Sequence, residues 1–322
     1  MTGGEKRHGD STAFGLMFHY FHDDGAHPAA QGTVSASQFD SILDRFLDEK
    51  RLLPAAEWVH KADRMQLRDG DVCLTFDDAL RCQADIALPI IRRRGLTAFW
   101  FTQSDALTAK ASLLEVFRRF RNERFPSITA FYQAFFARAL ESISADVVSG
   151  PNAGVPEDYL AEFEFYSHDD RVFRYVRDKV LGPERYTEVM LDMMRSMNTS
   201  VEELSAAMFL DVDCLRTLHR DGHVVGLHSH SHPTALADLP IDQQRREYET
   251  NYRVLSDILG EPPFAVAHPC NSYSSATLAI LRDLGVRIGF RANMAQQRYS
   301  NLEWPRMDSA DLLKEICSGQ PL

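Results

Sequence analysis

The chain has 322 residues, 44% hydrophobic and 25% charged. That is the make-up of a globular protein with a sizeable core, not of a disordered, collagen-like or coiled-coil chain. Its 35 Lys and Arg against 46 Asp and Glu leave a formal charge of −11, which disfavours holding nucleic acid or an anionic membrane through bulk charge. The five cysteines (Cys73, Cys82, Cys214, Cys270, Cys317) are scattered and form no C-x-x-C pair. They point to a reducing compartment rather than to a disulfide framework or a Cys-rich zinc site. No apolar run reaches the roughly 18–20 residues of a spanning helix, and residues 1–12 lack the apolar stretch of a secretory signal. A soluble, cytoplasmic chain is the expectation.

Taken in order, residues 13–20 (AFGLMFHY) read as a first strand. Phe39, Ile42, Leu43, Phe46 and Leu47 then fall at helical spacing, with Ser37 as the expected N-cap. Residues 71–76 form a second strand, followed by helix to Arg94 with a stop at Gly95, and residues 96–102 a third strand. From 104 to 210 only helical patterns occur, at 113–120, 128–143, 159–180 and 186–197, with Pro151 and Pro156 marking a loop. The aromatic residues there (Phe131, Tyr132, Phe135, Phe136, Phe163, Phe165, Tyr166) have the spacing of a buried helix face rather than of a sugar platform. Alternation resumes with a helix at 212–220, a strand at 223–228, a helix at 242–259, a strand at 264–267, a helix at 275–284 and a strand at 286–292. Such alternation implies parallel strands with helices outside, in an open sheet or a barrel. The expected organisation is an α/β scaffold in two parts, 13–103 and 211–308. A helical insertion fills 104–210, and 1–12 and 309–322 are tails.

Two segments carry chemistry. Thr75-Phe76-Asp77-Asp78 closes a strongly apolar strand. Adjacent carboxylates there are either a helix cap with a first-turn acid or part of a ligand site at the strand C-termini. Gly226-Leu227-His228-Ser229-His230-Ser231-His232-Pro233 also closes an apolar strand. Three histidines in five residues are hard to explain by packing, and imidazole is the commonest metal ligand. Two His and one carboxylate from separate strand ends leave room for water, the pattern of a catalytic metal rather than a structural one.

These two segments resemble the T-F-D-D and H-[ST]-x-x-H motifs of the polysaccharide deacetylases, the NodB-homology family. The resemblance implies a distorted, incomplete (β/α) barrel with Asp77 as general base and Asp78, His228 and His232 as ligands of one divalent ion, Zn or alternatively Fe, Co or Ni. His230 falls on a variable position of the motif. The family's R-x-P-[FY]-G motif is altered here to Ala267-His268-Pro269-Cys270-Asn271. Ala267 stands in place of the Arg that steadies the base, so Arg291 or Arg306 is expected to replace it, with Asp308 as a further orienter of Asp77 or His19. Pro269 and the Cys270 N–H would face the substrate as oxyanion-side groups, and His268 is either an active-site residue or a buried structural histidine. The family's C-terminal L-x-H has no counterpart after His268. Instead Leu16-Met17-Phe18-His19 resembles the L-x-Y-H segment of the circularly permuted members, which makes His19 the expected acid and His22 a weaker competitor. The implied activity is removal of an acetyl or similar acyl group from the nitrogen of an amino sugar or glycan. The alternatives are hydrolysis of a non-sugar amide or cyclic imide, and an inactive carbohydrate-binding relative. The implied partner is an N-acetylated small molecule or glycan, with no nucleic acid. The insertion would act as a specificity cap.

Overall fold

A computed structural model describes residues 13–30, 32–48, 51–107, 112–142, 154–161, 166–295, 298 and 300–318, without the side chains of 141–142 and 315–318. The chain divides into two compact units, Met1–Lys110 with Ala207–Leu322, and Ala111–Ala206.

The first unit begins with β1 (Phe14–Phe18), β2 (Phe21–His22), β3 (Val34–Ser35), α1 (Ala36–Asp48), α2 (Ala55–Asp63) and β4 (Val72–Phe76). A π-helical turn at Gln83–Ala87 leads into α3 (Leu88–Arg93), and β5 (Phe99–Thr102) follows. The helical unit holds α4 (Leu113–Glu123), α5 (Ile128–Ser142), α6 (His168–Tyr175), α7 (Gly182–Ser196) and α8 (Val201–Ser205). The first unit then resumes with α9 (Val212–Arg220), β6 (Val224–Leu227), α10 (Ile241–Leu259), β7 (Ala265–Ala267), α11 (Ser275–Asp283), β8 (Ile288–Phe290), β9 (Arg306–Asp308) and α12 (Ser309–Ser318).

Seven strands form one sheet in the order β8-β7-β6-β5-β4-β1-β9, each pairing parallel. β1 and β4 are buried at every position, as strands covered on both faces must be. Alternate side chains serve different layers. Phe99, Phe101, Ala265, Ala267, Ile288 and Phe290 pack with Trp58 and Trp304, whereas Phe76 stacks on Trp100 at 4.5 Å and meets Phe18, Phe21 and Phe39.

One segment nearly closes the sheet into a barrel. Trp304 donates its N–H to Gly289 and accepts from Arg291, both at the β8 edge. The next carbonyl, that of Pro305, accepts from Gly15 of β1, and β9 continues along β1 to Asp308. Pro305 lies at the crossover between the two edges, where its missing N–H leaves no ladder bond unmade. The arrangement is the distorted (β/α) barrel that the resemblance implies, and the barrel rather than the open sheet of the two forms the alternation allows.

Several local expectations change. The N-cap of α1 is Ser35, whose hydroxyl accepts from Gln38 N–H while Gln38 Oε1 accepts from Ser35 N–H; Ser37 lies inside the helix. The helix expected from 159 starts at His168, where a Ser167–Asp170 capping box begins it. Residues 143, 151 and 162–165, including Phe163 and Phe165, lie outside the described residues, as do the segments 1–12 and 319–322. Residues 309–318 are helix rather than tail. Elements α2, α8, α12 and β9 carry no distinct sequence signal because each is short or only half apolar. Ser104 and Asp105 bond to Ser229 and His230, and Leu210 to Ala79, so both ends of the stretch expected as insertion belong to the barrel unit. Within the helical unit Phe131, Tyr132 and Phe135 are buried and pack around Phe173. No helix among the described residues is long and apolar enough to cross a membrane.

Closure depends on Gly289. A Cβ there would stand 2.4 Å from the Leu302 carbonyl oxygen and 2.6 Å from its Cα, contacts that backbone cannot relieve without moving. Gly289→Ala is expected to cost about 1–3 kcal/mol, as overpacking does, read as a lowered urea midpoint with an unchanged slope.

Candidate metal centre and active site

The C-terminal ends of β1, β4, β6 and β7 meet on one rim of the barrel. After β4 the chain turns through two consecutive left-handed residues, Asp78 (φ 73°) and Ala79 (φ 52°). Non-glycine residues in that region cost on the order of 1–3 kcal/mol each unless their surroundings dictate the conformation. Here Ala79 accepts from Leu210 and Arg81 donates to Met208, which holds the turn from outside. After β6, Ser229 (φ 60°) and His232 (φ 53°) are also left-handed. Gly226 lets β6 approach its neighbours, since a Cβ there would lie 2.8 Å from the Ala265 carbonyl and the Phe101 ring.

These turns bring three donor atoms together. Asp78 Oδ1 lies 3.3 Å from His228 Nε2 and 3.5 Å from His232 Nε2, and the two Nε2 atoms are 3.1 Å apart. The three residues are buried and form a group able to hold a metal ion. Asp78 Oδ1 has no hydrogen-bond partner, an expensive condition for a buried carboxylate oxygen. His228 Nδ1 donates to the Ala267 carbonyl at 2.9 Å, so its Nε2 presents a lone pair inward, the outer-partner arrangement of a ligating histidine. Ligands about 2.0–2.1 Å from a tetrahedral zinc ion are roughly 3.3 Å from one another. The residues present fit such an ion.

Electrostatics agree with this arrangement. Burial works against ionisation of Asp78, yet the imidazoles around it, His228 foremost, hold its carboxyl well below the usual carboxylate range. Burial pulls His232 down to about 4 against the pull of Asp78, which keeps that imidazole neutral and available as a ligand.

Beside this group lies Asp77, buried to the same degree. Its Oδ1 accepts from Arg306 Nη1 at 2.7 Å, while Oδ2 is 3.8 Å from His19 Nε2 and 3.9 Å from His228 Nε2. Burial raises its pKa, but the Arg306 guanidinium and His228 outweigh that and leave Asp77 below its ordinary value. Arg306 is only 1% exposed and is itself held, by the Arg291 carbonyl on Nε and Thr75 Oγ1 on Nη1. Gly15 makes room for it, since a Cβ there would meet the Arg306 side chain at 3.0 Å. His19 Nε2 also lies 4.0 Å from Asp78 Oδ2, and its side chain is partly open to solvent.

The structure thus brings together Asp77, Asp78, His228, His232, His19 and Arg306. Most of the other singled-out residues bond to other partners. The Arg291 side chain faces Tyr273, and its part in holding Arg306 is played by its backbone. Asp308 accepts from Ala310 N–H at the start of α12. His22 bonds to Thr33, and His230 to Ser104. His268 is fully buried, bonds through Nε2 to the Leu302 carbonyl, stacks on Tyr273 at 4.2 Å and is pushed by burial down to about 4. It braces the barrel-closing segment, as a structural histidine does. Pro269 is buried and Cys270 exposed, on a turn where Cys270 (φ 49°) and Asn271 (φ 57°) are left-handed. Asn tolerates that conformation better than most residues, and Asn271 Oδ1 fastens the turn to Ala292 N–H.

Sequence reasoning overlooked the polar residues behind the site. Gln83 Nε2 donates to the carbonyls of both His19 and Asp77. Asn251 accepts from His228 N–H, and Glu247 from His230 and Ser231. The available signal was Gln244, Tyr248 and Asn251 recurring with Leu255 on the inward stripe of α10, where polar residues need a partner.

Replacing Arg306 by Met would strand a buried carboxylate, a loss on the order of 3–5 kcal/mol at neutral pH. A carboxyl lowered by folding contributes stability above its unfolded pKa, lost as pH falls through the folded value. Parent and Arg306→Met urea midpoints should therefore differ most near neutrality and converge in acid.

The family model for polysaccharide deacetylases matches residues 182–289, which include the His228–His232 loop but not Asp77 or Asp78. No curated protein matches the chain. Among solved structures it is similar to the deacetylase PplD of Streptococcus pyogenes in complex with acetate, at 15% identity and TM-score 0.56, over 96% of this chain and 98% of that one. It is also similar to IcaB from Ammonifex degensii (14%, TM-score 0.57, 96% and 97%) and to the BpsB deacetylase domain from Bordetella bronchiseptica (12%, TM-score 0.50, 93% and 97%). At these identities the structural likeness speaks for the fold. The family match over 182–289 and the shared barrel fold both support the resemblance to the NodB-homology polysaccharide deacetylases.

Proposed function

We propose that the protein is a metal-dependent hydrolase that removes an acetyl group from the nitrogen of an amino sugar or glycan. The observation that carries this reading is the convergence of Asp78 Oδ1, His228 Nε2 and His232 Nε2 beside a second carboxylate anchored by a buried arginine. A divalent ion held by those three residues, whose spacing fits one, would lower the pKa of water and polarise the acetamide carbonyl.

The chain's own residues supply the rest. With Oδ1 fixed by Arg306 and its pKa kept low, Asp77 is ionised at neutral pH and offers Oδ2 to take a proton from the attacking water. The Arg306 pair also fixes the direction of that oxygen, so little reorientation is needed as the proton moves. An amine leaves poorly unless protonated, and His19, partly solvent-exposed and 3.8 Å from Asp77, would protonate the amide nitrogen. The products are acetate and a free amino group. The acetate-bound deacetylase among the structural neighbours and the family match support the same class of substrate.

Acetate release from a panel of N-acetylated sugars and sugar nucleotides tests the proposal. Chelation should stop release and added zinc restore it. Asp77→Asn should lower turnover by about 10²- to 10⁴-fold, the span of a general base, with metal content close to that of the parent. Asp78→Ala and His228→Ala should instead lose the metal, measured by elemental analysis. Full turnover in Asp77→Asn, or metal retained without Asp78 and His228, would overturn the assignment.

A further inference from the structure

The loop that carries His228 and His232 leaves the sheet at Leu227, where ladder pairing ends. Backbone N–H groups beyond that point need other acceptors, and helix α10 supplies them. His228 N–H donates to Asn251 Oδ1 at 2.9 Å. The N–H groups of His230 and Ser231 both donate to Glu247 Oε2, at 3.0 and 2.8 Å, and the Ser231 hydroxyl donates to Glu247 Oε1 at 2.7 Å. Asn251 uses its other end as well, donating from Nδ2 to the Thr102 carbonyl at the tip of β5. Glu247 and Asn251 are one helical turn apart and therefore on one face.

We infer that Glu247 and Asn251 are positioning residues that build the His228–His232 loop before any cation arrives. The loop holds two left-handed non-glycine residues, Ser229 and His232, a conformation that persists only where its surroundings over-determine it. Four bonds from these two side chains supply that constraint, and a fifth, His232 N–H to Ser229 Oγ at 3.1 Å, closes the turn internally. Packing gives no account of Asn251: it is fully buried, and a leucine of similar size would fill the site without needing partners. The two residues touch none of the three inward-facing donor atoms. Their contribution to cation affinity is the ordering of the histidines, which would otherwise be done at the moment of binding. This inference rests on the reading of Asp78, His228 and His232 as metal ligands.

Zinc titration calorimetry on the metal-free chain, together with amide exchange at His230 and Ser231, tests it. Asn251→Leu and Glu247→Leu should weaken zinc binding on the order of 10- to 100-fold, the range for outer partners of ligands. Glu247→Gln keeps an acceptor in place and should restore most of that affinity. Gln244→Leu is the control for general damage: Gln244 is buried on the same helix face but bonds to Ala237, Leu239 and Thr277, so its loss should lower stability and leave zinc affinity as in the parent. Parent-like affinity in both leucine variants, or an equal fall in Gln244→Leu, overturns the inference. A parent chain that takes up no zinc refutes the metal-centre reading instead. The loop is then judged by exchange alone: amides protected in the metal-free parent and unprotected in the leucine variants support the inference, and amides already unprotected in the parent overturn it.

Discussion

A buried ion pair between Asp77 and Arg306 organises the rim that carries the candidate site. A carboxylate and a guanidinium withdrawn from water are tolerable only with short contacts and further bonds for the remaining donors and acceptors. Arg306 meets that condition through the Arg291 carbonyl and Thr75 hydroxyl, and it reaches Asp77 because β9 lies beside β1. The pair therefore requires the barrel to be nearly closed. Closure in turn rests on Gly289, on the Pro305 crossover and on His268 bracing Leu302. Chemistry on one rim and topology at the seam are one constraint.

The altered third motif takes on a physical meaning in this setting. Position 267, where the resembled motif has arginine, supplies a backbone carbonyl here, and that carbonyl orients His228. The cation comes from a different strand, and Gly15 clears the volume its side chain crosses. Three and four residues on, Cys270 and Asn271 take left-handed conformations without a glycine.

Strain gathers at the same rim. Asp78, Ala79, Ser229, His232, Cys270 and Asn271 all have positive φ, and each lies within a few residues of a strand end. Such conformations persist where surrounding bonds leave no alternative. The bonds here come from distant segments: Met208 and Leu210 for the first turn, α10 for the second and Ala292 for the third. Side chains aimed at a common point require strand ends that bend, and the bends are held from behind.

Much of this was legible in the residues alone. Apolar strands ending in Asp77-Asp78 and in three clustered histidines are local signals, because alternation and burial of a strand are written in adjacent residues. Ser35 rather than Ser37 as a cap, and the short elements α2, α8 and β9, were not, since each depends on bonds that several arrangements of the same residues would allow. Which arginine faces Asp77, that His268 is structural, that Asp308 serves a helix start, and that Gln83, Glu247 and Asn251 stand behind the site were settled by the tertiary structure alone. Apart from Asp308, those facts concern partners far apart along the chain, up to 229 positions for Asp77 and Arg306. Residue types and their spacing are determined by the sequence by itself, whereas a contact between remote positions exists only once the barrel has brought its strand ends to one rim.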